Sequence, residues 1–282
     1  MKGPLEIAAA DAYCWRLACR HYENFAVASW LVRRGLRQDL ARVYAYCRTT
    51  DDLGDEHGDA ARAHLERWRG EVLELFAGGK PAHPVLVALR DTIAHYQLPP
   101  QPFLDLIQAN LQDQGVSTYA TWPDLRGYCM MSAAPVGRIV LRLFRITSPT
   151  AEPLSDDVCN GLQLANFAQD VKVDALKGRT YLLQTDLEAG GITGATRSLC
   201  ERARGLLASG RALEAMAPWP LRPQLALYRL GGLAIIDAIA RLGYRTDLQR
   251  PHVPAWGKLL VLQRAIRQSL EVRGNGRKLG TA

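Results

Sequence analysis

Long hydrophobic runs and secretory features are scarce in this 282-residue sequence. The most apolar stretch, Leu230 to Ala240, is interrupted by Asp237 and is far shorter than the roughly 20 residues that cross a membrane. The first eleven residues carry Lys2, Glu6 and Asp11, so they lack the apolar core of a signal peptide. We therefore expect a cytoplasmic protein without a membrane span.

Cysteine pairs and nucleotide-binding motifs are also missing. The six cysteines show no C-x-x-C spacing and no histidines at zinc-finger distance, which argues against a structural zinc site or a disulfide framework and fits a reducing cytosol. No G-x-G-x-x-G follows a strand-like segment, so we expect no NADPH requirement. The net charge is +7, but no basic stripe is interleaved with aromatic residues, so we expect no nucleic-acid partner. An anionic substrate, an anionic membrane surface or plain solubility would account for the charge.

The chain is divided by glycine- and proline-rich segments into stretches of about 20 to 35 residues with helical periodicity. The dividing segments are Gly78–Pro81, Pro99–Pro102, Gly190–Gly191 and Pro218–Pro220. Strand-like alternation, internal repeats and low-complexity tracts are absent. The pattern predicts a single all-α domain over residues 1–282, with about eight to ten helices. We expect residues 11–272 to be folded and residues 273–282 to form a disordered tail, and a domain boundary near Gly190 stays open.

The first acidic cluster, Asp51, Asp52 and Asp55, ends a helix whose other face is apolar. Like charges at this spacing destabilise a helix by a few tenths of a kcal/mol per pair. Gly54 inside the helix adds about 1 kcal/mol. A sequence that carries both costs suggests a bound cation, and hard carboxylate oxygens suit Mg²⁺. The alternative is a solvated acidic helix end without a metal.

The second acidic cluster, Asn166, Asp170 and Asp174, has i, i+4, i+8 spacing and would form one polar ridge on a helix. The segment then changes to Lys177-Gly178-Arg179-Thr180-Tyr181. A glycine there permits a mobile loop, and Arg179 and Tyr181 could close over an anion as a lid. The alternative is an exposed polar face followed by an ordinary turn.

Two such clusters in one helical chain favour a metal-binding role more strongly than either cluster does alone. If they face each other, they could hold several Mg²⁺ ions around one diphosphate, with each charge pair contributing about 4 kcal/mol at an effective dielectric near 20. Neutralisation of that size makes diphosphate a leaving group and produces an allylic or cyclopropylcarbinyl carbocation. A non-catalytic helical adaptor that merely retains acidic surfaces is the alternative from another class.

The motifs resemble those of the squalene/phytoene synthase family. The resemblance is carried by Tyr44-x3-Arg48-x2-Asp51-Asp52-x2-Asp55, by Asn166-Phe167-x-Gln169-Asp170-x3-Asp174-x3-Gly178-Arg179-x-Tyr181, by the spacing from His21 through Phe25 to Arg48, and by Tyr128-Cys129-x3-Ala133-x2-Val136-Gly137. It extends from about Asp11 to Lys258. Within the family, His21–Phe25 and Asp51–Asp59 most resemble the bacterial hydroxysqualene synthases of hopanoid biosynthesis.

The resemblance implies the isoprenoid synthase fold, a helical bundle with a central active-site cavity. It implies a Mg²⁺-dependent enzyme, with two or three ions, that converts presqualene diphosphate and water to hydroxysqualene and diphosphate. The implied magnesium ligands are Asp51, Asp52, Asp55, Asn166, Asp170 and Asp174. The implied catalytic residues are Tyr44, Arg48, Tyr128 and Tyr181. The implied substrate-binding residues are His21, Asn24, Phe25, Gln163, Gln169, Arg179 and Tyr244.

Two further expectations accompany the resemblance. A partner presqualene diphosphate synthase could supply the substrate, whereas the rival reading is a head-to-head condensation of two farnesyl or geranylgeranyl diphosphates by this chain itself. The segment from Lys258 to Arg273 alternates leucines and isoleucine with basic residues. It could lie peripherally on an anionic membrane, or it could be a C-terminal helix packed on the core.

Overall fold

The structure, a computed structural model, describes residues 4–20, 32–56 and 58–278, with side chains between 6 and 271. Regular structure in these residues is helical, and the strand-like pairing there is limited to one parallel bridge between Tyr119 and Leu183. The all-α prediction is therefore confirmed. Of the helices in the described ranges, none combines the length and the apolar character that crossing a membrane requires.

Thirteen α helices and one 3-10 turn form in the described residues, more than the eight to ten predicted. The additional elements come from short breaks without proline, such as the one at Asp170 between α8 and α9. Periodicity does not reveal such breaks, because the apolar residues keep nearly the same spacing on either side. The glycine- and proline-rich segments before Pro84, Phe103 and Leu221 do separate helices as predicted.

The chain forms two compact units. The first comprises Met1–Gly115 and Pro135–Thr147, and the second comprises Val116–Ala134 and Ser148–Ala282. The helices are, in chain order, α1 Pro4–Arg20, α2 Arg34–Asp55, α3 Ala61–Phe76, α4 Pro84–Tyr96, α5 Gln101–Gln112, α6 Trp122–Ser132, α7 Ala134–Leu143, α8 Ala151–Gln169, α9 Val171–Leu176, α10 Gln184–Ala208, α11 Gly210–Met216, α12 Arg222–Arg241 and α13 Ala255–Lys278. The 3-10 turn is Gly58–Ala60. The division does not fall near Gly190, where α10 is instead kinked at Gly191 (φ 61°).

The first unit packs around the apolar face of α2. Tyr46 is fully buried, stacks on Trp68 and donates a hydrogen bond of 2.8 Å to the Phe103 carbonyl. Arg42 makes two hydrogen bonds of 2.7 and 2.8 Å to the Asp11 carboxylate, which joins α1 to the same helix. Because these contacts fix the rotation of α2 about its axis, they also fix where its acidic face points.

The second unit is centred on α8, which packs against α10 and α12. A Cβ at Gly161 would lie 2.9 Å from the Leu207 Cγ, so glycine permits the close approach of α8 and α10. Glu214 and Arg229 form a buried ion pair of 2.5 Å that joins α11 to α12. Helix α8, which carries Asn166, is thus packed between α10 and α12. Helix α13 is described to Lys278, beyond residue 272, where the folded part was expected to end.

Candidate active site

The first acidic cluster lies on one face of α2 together with two predicted catalytic residues. Tyr44, Arg48, Asp51 and Asp55 follow each other three or four residues apart, so they share a face. Arg48 forms an ion pair with Asp52 one turn further along. Burial raises the pKa of the Tyr44 phenol, which therefore stays protonated near neutral pH and can donate a hydrogen bond.

Asp51 occupies an unusual electrostatic environment. The residue is exposed at the surface of its unit, but the protein packed around its carboxyl raises the pKa from the usual 3.8 to about 6. A hydrogen bond from Asn110 and the charge of Arg48 oppose that rise, while Asp55 and Asp52 add to it. A carboxylate that is costly to charge gains more from a cation than a fully solvated one does. The environment therefore fits Mg²⁺ at the first acidic cluster.

Helix α5 supports this cluster through a residue that sequence reasoning missed. The Asn110 amide donates to Asp51 Oδ1 over 3.3 Å and to the Leu106 carbonyl over 3.0 Å. A Cβ at Gly54 would lie 2.5 Å from Asn110 Oδ1, so a larger residue would displace the Asn110 amide from its present position. Gln114 donates to the Gly54 carbonyl over 3.1 Å. Gly54, which costs helix stability, thus leaves room for the side chain that contacts Asp51.

The second acidic cluster was predicted to form a ridge on one helix, but the structure divides it between two helices. Helix α8 ends at Gln169, Asp170 leaves the helical conformation (φ −103°, ψ 16°), and α9 begins at Val171. The backbone hydrogen bonds between residues four apart nevertheless continue across the break. Asp170 N–H donates to the Asn166 carbonyl over 2.9 Å, and Asp174 N–H donates to the Asp170 carbonyl over 2.8 Å. The three residues therefore follow one another along a bent ridge.

Asp170 is engaged by Arg250, a second residue that sequence reasoning missed. Arg250 Nε donates to Asp170 Oδ1 over 2.5 Å, and its second nitrogen donates to Oδ2 over 3.3 Å. The two residues are 80 positions apart, so no local spacing could have indicated the contact. Gln169, predicted to bind substrate, is buried and donates over 2.8 Å to the Pro251 carbonyl, so its amide supports the same loop.

The predicted catalytic residues Tyr128 and Tyr181 lie in a buried aromatic cluster, which we define as Tyr119, Tyr128, Phe167 and Tyr181. The rings of Phe167 and Tyr181 stack with centroids 3.8 Å apart, and Tyr128 lies 5.7 Å from Tyr181. Phe167 directly follows Asn166 on α8, so the aromatic cluster and the second acidic cluster each have one member on that helix. Tyr119 is the member that the sequence motifs did not include.

Tyr181, predicted to act in a lid, is buried in the aromatic cluster, and the lid role stays a prediction. Its ring is 8% exposed and stacked. Residues 180–185 run beside 117–120, where Thr180 N–H donates to the Ser117 carbonyl over 2.8 Å. A glycine turn does occur at Gly178 (φ 71°), and Arg179 beside it is half-buried. The packing of the aromatic cluster, which sequence spacing does not show, is what holds this segment.

Of the remaining residues predicted to bind substrate, some lie on α8 or just beyond α12 and others lie outside the described residues. Gln163 is half-buried on α8. Tyr244 lies just beyond α12 with φ 61°, and the Arg197 guanidinium lies 4.9 Å above its ring. His21, Asn24 and Phe25 lie outside the described residues, so their assignment stays a prediction.

The donor sets fit Mg²⁺ but do not enclose it. Within the described ranges, no three Asp, Glu, His or Cys side chains are grouped closely enough to hold one metal ion by themselves. Mg²⁺ commonly takes one or two carboxylates and completes its shell with water and substrate phosphates. Asp51 or Asp55 in the first cluster, and Asp170, Asp174 or Asn166 in the second, would supply such ligands.

Comparison with known proteins identifies the family. Residues 18–257 match the family model described as squalene/phytoene synthase. The chain belongs to the squalene/phytoene synthase family. It is therefore an isoprenoid-biosynthesis enzyme of the head-to-head prenyltransferase family, with the helical isoprenoid synthase fold.

Individual squalene/phytoene synthases give the degree of similarity. The 15-cis-phytoene synthase of Synechococcus elongatus is 32% identical, over 90% of this chain and 92% of that protein. The hydroxysqualene synthase of Rhodopseudomonas palustris is also 32% identical, over 77% of each chain. The crystal structure of squalene synthase HpnC from Alicyclobacillus acidocaldarius has a TM-score of 0.80 and 43% identity, over 86% of this chain and 97% of that one.

Proposed function

We propose that this enzyme converts presqualene diphosphate and water into hydroxysqualene and diphosphate, with two or three Mg²⁺ ions bound at its two acidic clusters. The observation that carries the proposal is the 43% identity with the squalene synthase HpnC, compared with 32% for the phytoene synthase above. The hydroxysqualene synthase among the relatives supports the same branch. Presqualene diphosphate would come from a partner enzyme that condenses two farnesyl diphosphates.

The reaction begins with heterolysis of the bond between carbon and the diphosphate oxygen, and both electrons leave with the diphosphate. Bound Mg²⁺ would supply charge neutralisation of the leaving group. Arg48 provides a fixed positive charge on the face of α2 that carries Asp51, and the protonated Tyr44 phenol provides a hydrogen-bond donor on that face. A water oxygen then bonds to the carbocation and loses a proton, which balances the reaction without a reductant. For that reason we propose no NADPH requirement.

The aromatic cluster would stabilise the cation. Each π-face near a carbocation contributes about 0.5–2 kcal/mol. Tyr128 and Tyr181 are buried beside the helix that carries Asn166, so a cation formed near the second acidic cluster would meet rings rather than bulk water. Exclusion of bulk water limits premature quenching.

The proposal is tested with purified protein, presqualene diphosphate and Mg²⁺, without NADPH. We expect hydroxysqualene and diphosphate, detected by mass spectrometry and a diphosphate assay, and addition of NADPH should not change the product. Untouched presqualene diphosphate would overturn the proposal.

The rival reaction, condensation of two prenyl diphosphates, is supported by the 32% identity with phytoene synthase and is tested with farnesyl or geranylgeranyl diphosphate alone. Product from either alone would support that rival.

We also propose that the enzyme works at the cytoplasmic surface of an anionic membrane, which it contacts through the exposed face of α13. That face presents Trp256, Leu259, Leu260, Ile266 and Leu270. Exposed Lys258, Arg264 and Arg267 lie on the same helix, so apolar and cationic groups occur together. Its other face, with Ala265 and Ser269, is buried, so the helix packs on its unit and the proposed contact concerns only the exposed face.

Vesicle sedimentation tests the membrane contact. We expect binding to phosphatidylglycerol vesicles and little binding to phosphatidylcholine vesicles. Leu260→Glu should reduce binding several-fold, whereas Leu73→Glu, at an equally exposed leucine on α3, should not. Equal loss in both variants would contradict a role for α13.

A further inference from the structure

The contact between Arg250 and Asp170 is a bidentate one. Both carboxylate oxygens accept a hydrogen bond from the same guanidinium, over 2.5 and 3.3 Å. The Asp170 side chain is 26% exposed and that of Arg250 is 56% exposed, so the pair lies at the surface of its unit. A fork of this kind uses one lone pair on each oxygen and places the guanidinium charge beside both of them, where it opposes the approach of a metal ion.

The loop after α12 is built to bring Arg250 to this carboxylate. Gln169 donates to the Pro251 carbonyl over 2.8 Å, and Lys172 Nζ donates to the Leu248 carbonyl over 3.2 Å. The residues on either side of Asp170 thus hold the residues on either side of Arg250, in antiparallel order. Because these two hydrogen bonds hold the backbone of the loop, they also place the Arg250 guanidinium beside Asp170.

Asp170 therefore has two competing cationic partners in the proposed function. Arg250 donates to both oxygens, and Mg²⁺ at the second acidic cluster would have to approach one of them against the guanidinium charge. We propose that Arg250 is a latch that holds the Asp170 carboxylate until Mg²⁺ displaces it, and so weakens metal binding at the second acidic cluster. This inference rests on the proposed magnesium role of Asp170. Arg250 acts as a positioning residue, because its contact is with a ligand of the metal.

Metal titration without substrate tests the latch, with Mn²⁺ as the probe and calorimetry or electron paramagnetic resonance as the readout. We expect Arg250→Gln to bind Mn²⁺ about three- to tenfold more tightly than the wild type, because a competing charge-assisted fork is removed. Arg250→Lys should fall between them, since lysine keeps the charge but cannot bond both oxygens in parallel. Thermal unfolding of each variant checks that the fold is kept.

Arg245→Gln is the matched control. Arg245 lies on the same loop and pairs with Asp247 over 3.0 Å, so its removal changes the net charge equally without touching Asp170. We expect its Mn²⁺ affinity to match the wild type. A gain in Arg245→Gln equal to that in Arg250→Gln would overturn the latch, because it would reveal a general charge effect.

A double-mutant cycle with Asp170→Asn locates the effect. The gain from Arg250→Gln should vanish in the Asp170→Asn background, and its persistence there would overturn the latch. An unchanged affinity in Arg250→Gln, in a protein whose turnover depends on Mg²⁺, would overturn the latch alone. If neither the wild type nor Arg250→Gln bound Mn²⁺ or formed product with it, the latch and the magnesium part of the proposed function would fail together.

Discussion

The first acidic cluster lies on an unbroken helix, α2, whereas the second lies across the break between α8 and α9. In the first, Asp51 receives a neutral hydrogen bond from Asn110 and retains a raised pKa. In the second, Asp170 is held by the guanidinium of Arg250. Asp52 of the first cluster is also paired with an arginine, Arg48, so the difference lies at Asp51, whose partner is a neutral amide.

The difference concerns what each cluster gives up when a metal binds. The protein packed around Asp51 raises the pKa of its carboxyl, so a cation bound there would offset part of that cost. The carboxylate of Asp170 is already paired with a guanidinium, so a cation bound there would compete with that partner.

The largest effect is expected from removing either carboxylate. Asp51→Asn and Asp170→Asn should each lower kcat/KM for presqualene diphosphate by about 100-fold or more, because a ligand of the charge-neutralising metal is lost. The control Asp237→Asn removes an exposed carboxylate that pairs with Arg204 on α10, and should stay within about twofold of the wild type. Retention of full activity in either cluster variant would remove that cluster from the reaction.

A smaller effect is expected from closing the gap between α2 and α5. Gly54→Ala should destabilise the protein by about 1–3 kcal/mol, because its Cβ would lie 2.5 Å from Asn110 Oδ1. Gly70→Ala on α3 is the matched control, since nothing lies within 4 Å of its Cβ, and it should stabilise by up to about 1 kcal/mol. Denaturant unfolding measures both. A stabilised Gly54→Ala variant would show that the support of Asp51 by α5 is not required.

The smallest effect is the pH dependence that Asp51 contributes. Its pKa is raised in the folded protein to about 6, so the folded state binds its proton more tightly than the unfolded state does. The contribution of Asp51 to stability therefore increases as pH falls from about 6 towards 4 and is constant above that range. In EDTA, lowering the pH from about 6 to 4 should raise the melting temperature of the wild type relative to that of Asp51→Asn, by a few degrees at most. Parallel curves would contradict the desolvated environment.

Much of the fold and of the first cluster could be predicted from local spacing. The apolar residues of α2, α3 and α5 recur three or four apart, and most of them are buried as expected. The same periodicity places Arg48 and Asp51 on one face. The burial of the Tyr181 ring could not be predicted in this way, because it depends on Tyr119 and Tyr128, which belong to other parts of the chain.

The helices, their apolar faces and the acidic residues on them follow from periodicity within a few turns. The residues that complete each cluster depend on tertiary packing. Asn110 is 59 positions from Asp51 and Arg250 is 80 positions from Asp170. Contacts across such separations depend on how helices and loops pack, and the pKa of Asp51 depends on the same packing through desolvation. Local spacing carries no information about either.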